Sequence, residues 1–215
     1  MTGPEWGVVT FGVVIAGAMW AYMFRLETRD LWPRTWVAAG VLSAYGVGAT
    51  VALGDGRQLI GPISPVEVLI GLAVGIGWLA ATHLGAAVLG RVWPSFLEEV
   101  SDIYRLGGGN DPARVVGPLA AMAAAEELLF RGLIQARVGL LVGVAVYAAV
   151  QVVQGKRALV LAAAACGVVW GGLFDWRHGL VAPFVAHAVW TICLTVVCPI
   201  ARRTDRSDRE RQPVS

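Results

Sequence analysis

The chain has 215 residues, of which 57% are hydrophobic and only 15% charged, and its formal net charge is +2. Soluble domains carry about 25% charged residues, so an ordinary soluble globule is excluded. A charge so near zero gives no support to a nucleic-acid partner. The apolar residues run on continuously instead of alternating. In lipid no water is present to satisfy the backbone, so such runs select helices over a closed barrel. The expected fold class is all-α: a polytopic membrane helical bundle in one compact unit.

In chain order, seven apolar segments are expected as transmembrane spans, at roughly 6–24, 36–54, 66–90, 113–136, 138–154, 158–175 and 180–200. No Lys or Arg precedes the first, so it lacks the basic start of a secretory signal and reads as a retained span. Arg57–Pro65, with two prolines, is the clearest loop. Across 91–106, Trp93, Leu97, Val100 and Tyr104 recur at helical spacing with Glu98, Glu99 and Asp102 between them, the pattern of a short interfacial amphipathic helix. Gly107–Gly109 then break the chain, and Asp111-Pro112 supplies a cap for the next span. Gly71-x-x-x-Gly75 and Gly167-x-x-x-Gly171 mark close helix contacts. The tail 201–215 is basic and reads as disordered. The chain thus divides into N-terminal spans with the interfacial helix (1–110), a region carrying the motifs below (111–200) and the tail.

Counting basic residues on alternate sides tests topology. One side receives thirteen: Arg25, Arg29, Arg34, Arg91, Arg105, Arg114, Lys156, Arg157 and five tail arginines. The other receives four: Arg57, Arg131, Arg137 and Arg177. A multi-pass protein of the cell membrane is expected, its N-terminus outside and its C-terminus in the cytoplasm. Sixteen arginines to one lysine, amid abundant Ala, Val and Gly, point to a GC-rich bacterial source. Cys166, Cys193 and Cys198 lie in apolar stretches without a Cys-x-x-Cys pair and read as reduced packing residues.

The fourth segment holds the anomaly. An Ala-rich helix runs directly into Glu126, Glu127 and Arg131. Each such group costs roughly 2.5–3.5 kcal/mol within a span, about 8–10 kcal/mol for three if none is paired. A cost of that size persists only where the groups are paired, hydrated or used. Glu127 and Arg131 stand at i, i+4 in the favourable order for an ion pair. Glu126 points about 100° away and is free to face a cavity, and a carboxylate in an apolar cavity suits a general base acting on water. The plainer alternative is a charge cluster that only locks helix packing. Tyr147 with Gln151, and His187 with Thr191, also share helical faces, so His187 and Thr191 present donors side by side. His83 shows no partner, and His178, beside Asp175 and Arg177, reads as a loop residue at a span boundary. A zinc protease needs a ligand set such as His-Glu-x-x-His, which does not occur here, and a transporter predicts an internal repeat, which is absent.

Glu126-Glu127-Leu128-Leu129-Phe130-Arg131-Gly132 resembles the first motif of the CAAX protease and bacteriocin-processing family, also called the Abi family. Downstream, Trp170-Gly171-Gly172-Leu173-Phe174, then Arg177-His178-Gly179-Leu180-Val181-Ala182-Pro183 and His187, are similar to the family's Gly-rich helix, turn, Ala-Pro step and histidine motif. The likeness covers roughly 113–200. It implies a glutamate-dependent endopeptidase for intramembrane proteolysis, all-helical, with no metal or other cofactor. Its partners would be membrane lipid and a membrane protein or peptide substrate; the oligomeric state is not implied. Carried over by position, Glu126 is the base, Glu127 and Arg131 its supporting pair, and His187 an oxyanion donor. In the family a histidine of a Phe-x-x-x-His motif assists the glutamate, and an Asn or Asp partners the second histidine.

Two positions depart from that pattern. Thr191 replaces the Asn or Asp. Tyr147-x-x-x-Gln151 falls where the middle motif belongs by spacing, so glutamine replaces histidine; Phe174-x-x-x-His178 matches the motif literally but sits just before the last one, as the alternative catalytic pair. Gln151 can hydrogen-bond a water but not exchange a proton. The sequence therefore leaves open a working enzyme and a catalytically impaired pseudoprotease acting as a membrane partner or immunity-type protein.

Overall fold

The computed structural model describes residues 1–24, 31–54, 60–93, 95–100 and 111–200. Among these residues all regular structure is helical. The long helices are α1 (Gly3–Phe24), α2 (Trp32–Ala52), α3 (Pro65–Val92), α4 (Pro112–Glu126), α5 (Leu140–Val150), α6 (Arg157–Arg177) and α7 (Val181–Ile192). Three of them change their winding. α4 continues through a π-helical stretch, Glu127–Gln135, into a last α turn, Ala136–Val138; α5 closes in a 3-10 turn, Gln151–Gln154; α7 ends in a π turn, Cys193–Val197.

Every apolar segment expected as a span is a helix, with ends shifted by a few residues. α1, α2, α3 and α6 are each long and apolar enough to cross a membrane, whereas Leu140–Gln154 and Val181–Val197 are shorter apolar helices. At 1.5 Å per residue the shorter two reach about 22–26 Å, against a hydrocarbon core of about 30 Å. The seven segments thus comprise four full-length helices, the composite α4 and two short helices. Helix starts follow the chain's capping chemistry. The Ser64 side chain accepts from the Glu67 N–H ahead of Pro65, and Asp111 Oδ1 accepts from Ala113 N at 3.0 Å ahead of Pro112.

One core joins the two halves of the chain: Trp20 from α1, Leu42 from α2, Leu129 and Phe130 from the π stretch, Tyr147 from α5, Trp170 from α6 and Ala186 from α7. α3 is brought against α7 by glycine. A Cβ at Gly71 would stand 2.7 Å from the Ala182 carbonyl oxygen, and one at Gly75 2.8 Å from that of Ala186. Gly171 makes the matching approach between α6 and α4, where a Cβ would meet Gln135 Oε1 at 2.6 Å. At one end of the bundle Arg177 and Glu67 close a bidentate pair, with Nη2 to Oε1 at 2.6 Å, and Leu180 N donates to Ile60 O at 2.9 Å.

At the other end residues 95–100 form a short helix. Its Phe96 and Val100 pack on Ala86 and Ala158, and Glu99 Oε2 accepts from Ala158 N at 2.9 Å, the start of α6. Of the amphipathic stretch expected over 91–106, Arg91 and Val92 belong to α3 and 101–106 lie outside the described residues. The basic tail 201–215, Gly107–Gly109, and Arg25, Arg29, Arg57 and Arg105 also lie outside them.

Candidate active site

A cavity of about 300 Å³ lies among the helices, its walls drawn from α1, α2, α3, α4, α5, α6 and α7. Trp20, Met23, Phe24, Leu31 and Trp32 make one apolar wall, and Leu119, Met122 and Ala123 lead along α4 to its polar floor. On that floor stand Glu126, Tyr147, Gln151, His187 and Thr191. Residues 61 apart in sequence therefore meet because α4, α5 and α7 cross at one depth.

The two glutamates part company where the α-helix gives way to π geometry. Glu126, the last α-helical residue, lines the cavity and accepts a hydrogen bond from the Tyr147 hydroxyl, Oη to Oε2 2.6 Å. Glu127 opens the π stretch and turns into the protein, 1% exposed against 7% for Glu126. Arg131 Nε lies 3.3 Å from Glu127 Oε2, close enough for an ion pair but not aligned as a hydrogen bond. The guanidinium lies over the Tyr147 ring, Cζ to centroid 4.6 Å, and neither of its terminal nitrogens has a hydrogen-bond partner among the described residues. Tyr147 thus touches both charges, by its hydroxyl and by its face.

His187 Nδ1 stands 2.8 Å from Glu127 Oε1, and its ring stacks on Trp170, centroids 5.7 Å apart and planes 18° from parallel. The histidine expected to face a substrate oxygen is therefore already tied by one nitrogen to Glu127. Gln151 lines the cavity with its side-chain oxygen accepting from Trp20 Nε1 at 2.6 Å and from Gln154 Nε2. Thr191 follows His187 by one turn of α7.

His178 is elsewhere. It caps α6 in the left-handed conformation, φ 53°, its side chain exposed and absent from the cavity wall. Its N–H donates to the Phe174 carbonyl at 2.8 Å, so the Phe174-x-x-x-His178 spacing corresponds here to a helix-end backbone bond. His83 lies on α3 away from the cavity wall, its buried Nε2 making no hydrogen bond among the described residues. Cys166 accepts from Trp78 Nε1 at 3.3 Å, and all three cysteines are free. Among the described residues no three His, Cys, Asp or Glu side chains gather as a metal ion would need.

Trp20 and Gln154 escaped the reading of the sequence. A tryptophan four residues from the end of a span reads as an interfacial anchor, and nothing in the sequence around Trp20 links it to residue 151.

Residues 110–193 match the family model described as Type II CAAX prenyl endopeptidase Rce1-like. No curated protein and no solved structure matches the chain.

Proposed function

We propose, from the match of residues 110–193 to the Type II CAAX prenyl endopeptidase Rce1-like family model, that the chain is a glutamate-dependent endopeptidase hydrolysing a peptide bond within or beside the membrane. The observation that carries this reading is the placing of Glu126 in an apolar cavity whose other polar groups include Gln151, His187 and Thr191. Glu126 takes a proton from water while the water oxygen bonds to the substrate carbonyl carbon and the carbonyl oxygen becomes an alkoxide. Collapse breaks the C–N bond, and the proton passes from Glu126 to the leaving amine. The polar groups opposite Glu126 face the alkoxide and the water; Glu127 and Arg131 support them from behind. No metal or organic cofactor enters the reaction. Membrane lipid surrounds the chain, and the substrate is a membrane protein or peptide. The chain sits in the cell membrane with its N-terminus outside and its C-terminus in the cytoplasm.

The test is the full chain in liposomes with a pool of internally quenched apolar decapeptides, cleavage followed by fluorescence and new termini by mass spectrometry. Glu126→Gln is expected to lower the rate at least about 10²-fold, the worth of a positioned acid or base. Equal cleavage by both proteins removes the glutamate mechanism.

A second reading is favoured by one observation, the glutamine at the floor of the cavity where a histidine is expected. On it, the chain is a pseudoprotease that keeps the fold as a membrane partner. Activity that appears only in Gln151→His with Thr191→Asn supports this second reading; cleavage by the wild type excludes it.

A further inference from the structure

We propose that Gln151 is the hydrogen-bond donor to the substrate's carbonyl oxygen and that Trp20 is the residue that aims it, an inference resting on the peptidase reading above. The indole N–H of tryptophan only donates. Its 2.6 Å bond to Gln151 therefore fixes which amide atom faces α1: the oxygen. The contact from Gln154 Nε2 lands on the same oxygen. Gln151 spends its acceptor on these two neighbours, and no described residue accepts from its NH₂ group. Because the side chain lines the cavity that holds Glu126, those two N–H bonds are the donors left for a bound group.

His187 has less to offer an oxyanion. Its Nδ1 stands 2.8 Å from Glu127 Oε1, and Glu127 in turn faces the Arg131 guanidinium at 3.3 Å. One ring nitrogen is thus committed within the protein, and Nε2 alone is left for a bound group. Gln151 keeps two N–H bonds for the oxyanion, the role that the last histidine takes in the resembling family. Trp20, which reaches substrate only through Gln151, is a positioning residue.

The experiment uses the full chain in liposomes with the same decapeptide pool. Gln151→Met, near-isosteric and without donors, is expected to lower kcat about 10²–10³-fold, as loss of an oxyanion donor does, with KM within about threefold. Trp20→Phe removes one neutral hydrogen bond and lowers kcat about 3–10-fold. Neither variant changes the shape of the pH profile, since the amide does not titrate. In ¹⁵N-tryptophan-labelled protein the Trp20 indole resonance, identified by its loss in Trp20→Phe, moves in Gln151→Met while the other eight of the nine tryptophans keep theirs, which also reports an intact fold. Undiminished kcat in Gln151→Met, a loss confined to KM, an unmoved indole resonance, or a large loss in Thr191→Val in its place each overturns this proposal while the peptidase reading stands. A wild type that cleaves nothing overturns both.

Discussion

Tyr147 carries two duties that single substitutions separate. Its hydroxyl donates to Glu126, and its ring face lies 4.6 Å from the Arg131 guanidinium carbon. Tyr147→Phe keeps the face and loses only the hydroxyl, an expected cost of about 1–3 kcal/mol for a buried bond to an acidic group. Tyr147→Leu also removes the face, and loss of a desolvated cation–π contact adds about 2 kcal/mol. Thermal denaturation in detergent reads the difference, and equal effects contradict the division. Arg131 and Glu127 are each 1% exposed. Truncating one member of a buried ion pair leaves the other charge uncompensated, so Arg131→Met is expected to cost about 3–5 kcal/mol. Adding Glu127→Gln removes the stranded charge, and the double variant should be more stable than the two separate losses added together. Additivity in that cycle would mean the pair contributes no mutual stabilisation.

At the scale of elements, the seam between α3 and α7 sets where His187 stands. Gly75 abuts Ala186, the residue before His187, and a Cβ there would stand 2.8 Å from the Ala186 carbonyl oxygen and 3.1 Å from its Cα. These are backbone atoms and cannot rotate away. Gly75→Ala is expected to cost about 1–3 kcal/mol through overpacking, and to slow peptide cleavage by shifting α7. Gly77, two residues on, meets nothing within 4 Å. Gly77→Ala is then neutral or stabilising by up to about 1 kcal/mol, since alanine suits a helix interior better. The glycine spacing that forms this seam is visible in the sequence, as are the helices, because long apolar runs admit few other structures in lipid. The parting of Glu126 from Glu127 is legible too, from the angle between successive helical residues. Three features of the site are not. The π winding of Glu127–Gln135 is a shift of backbone hydrogen bonds with no compositional mark. The bond from Trp20 to Gln151 spans 131 positions, and that between His187 and Glu127 spans 60. Such contacts come from how helices cross, which local spacing does not encode. The left-handed cap at His178 is hidden for another reason: a non-glycine residue adopts a conformation that glycine ordinarily takes.

For the whole molecule, the cavity and the charge distribution share an end. Its walls at this end come from the end of α1 (Met23, Phe24), the start of α2 (Leu31, Trp32), the start of α6 (Ala158), and Thr195 and Ile200, which follow α7. Successive long helices run in opposite directions, so all these positions lie at one face of the bundle. Arg34, Arg91, Arg114, Lys156 and Arg157 belong to that same end, whereas Arg137 and Arg177 belong to the other. On the topology proposed above, which follows the positive-inside rule, the cavity end is the cytoplasmic one. From Pro112, the start of α4, Glu126 lies about 21 Å along the helix, so a peptide reaching it from this face has most of the membrane's depth to cross within the cavity. Access is therefore expected from the cytoplasmic side alone. With Cys166, Cys193 and Cys198 replaced by alanine, Thr195→Cys should react with a membrane-impermeant maleimide in inside-out vesicles and not in right-side-out ones. Ile63→Cys, on the 78% exposed residue of the opposite face, should show the reverse. Labelling of Thr195→Cys should also block peptide cleavage, because the adduct occupies the path to Glu126. Labelling from the outer side would invert the topology, and full activity after complete labelling would place the substrate's path elsewhere.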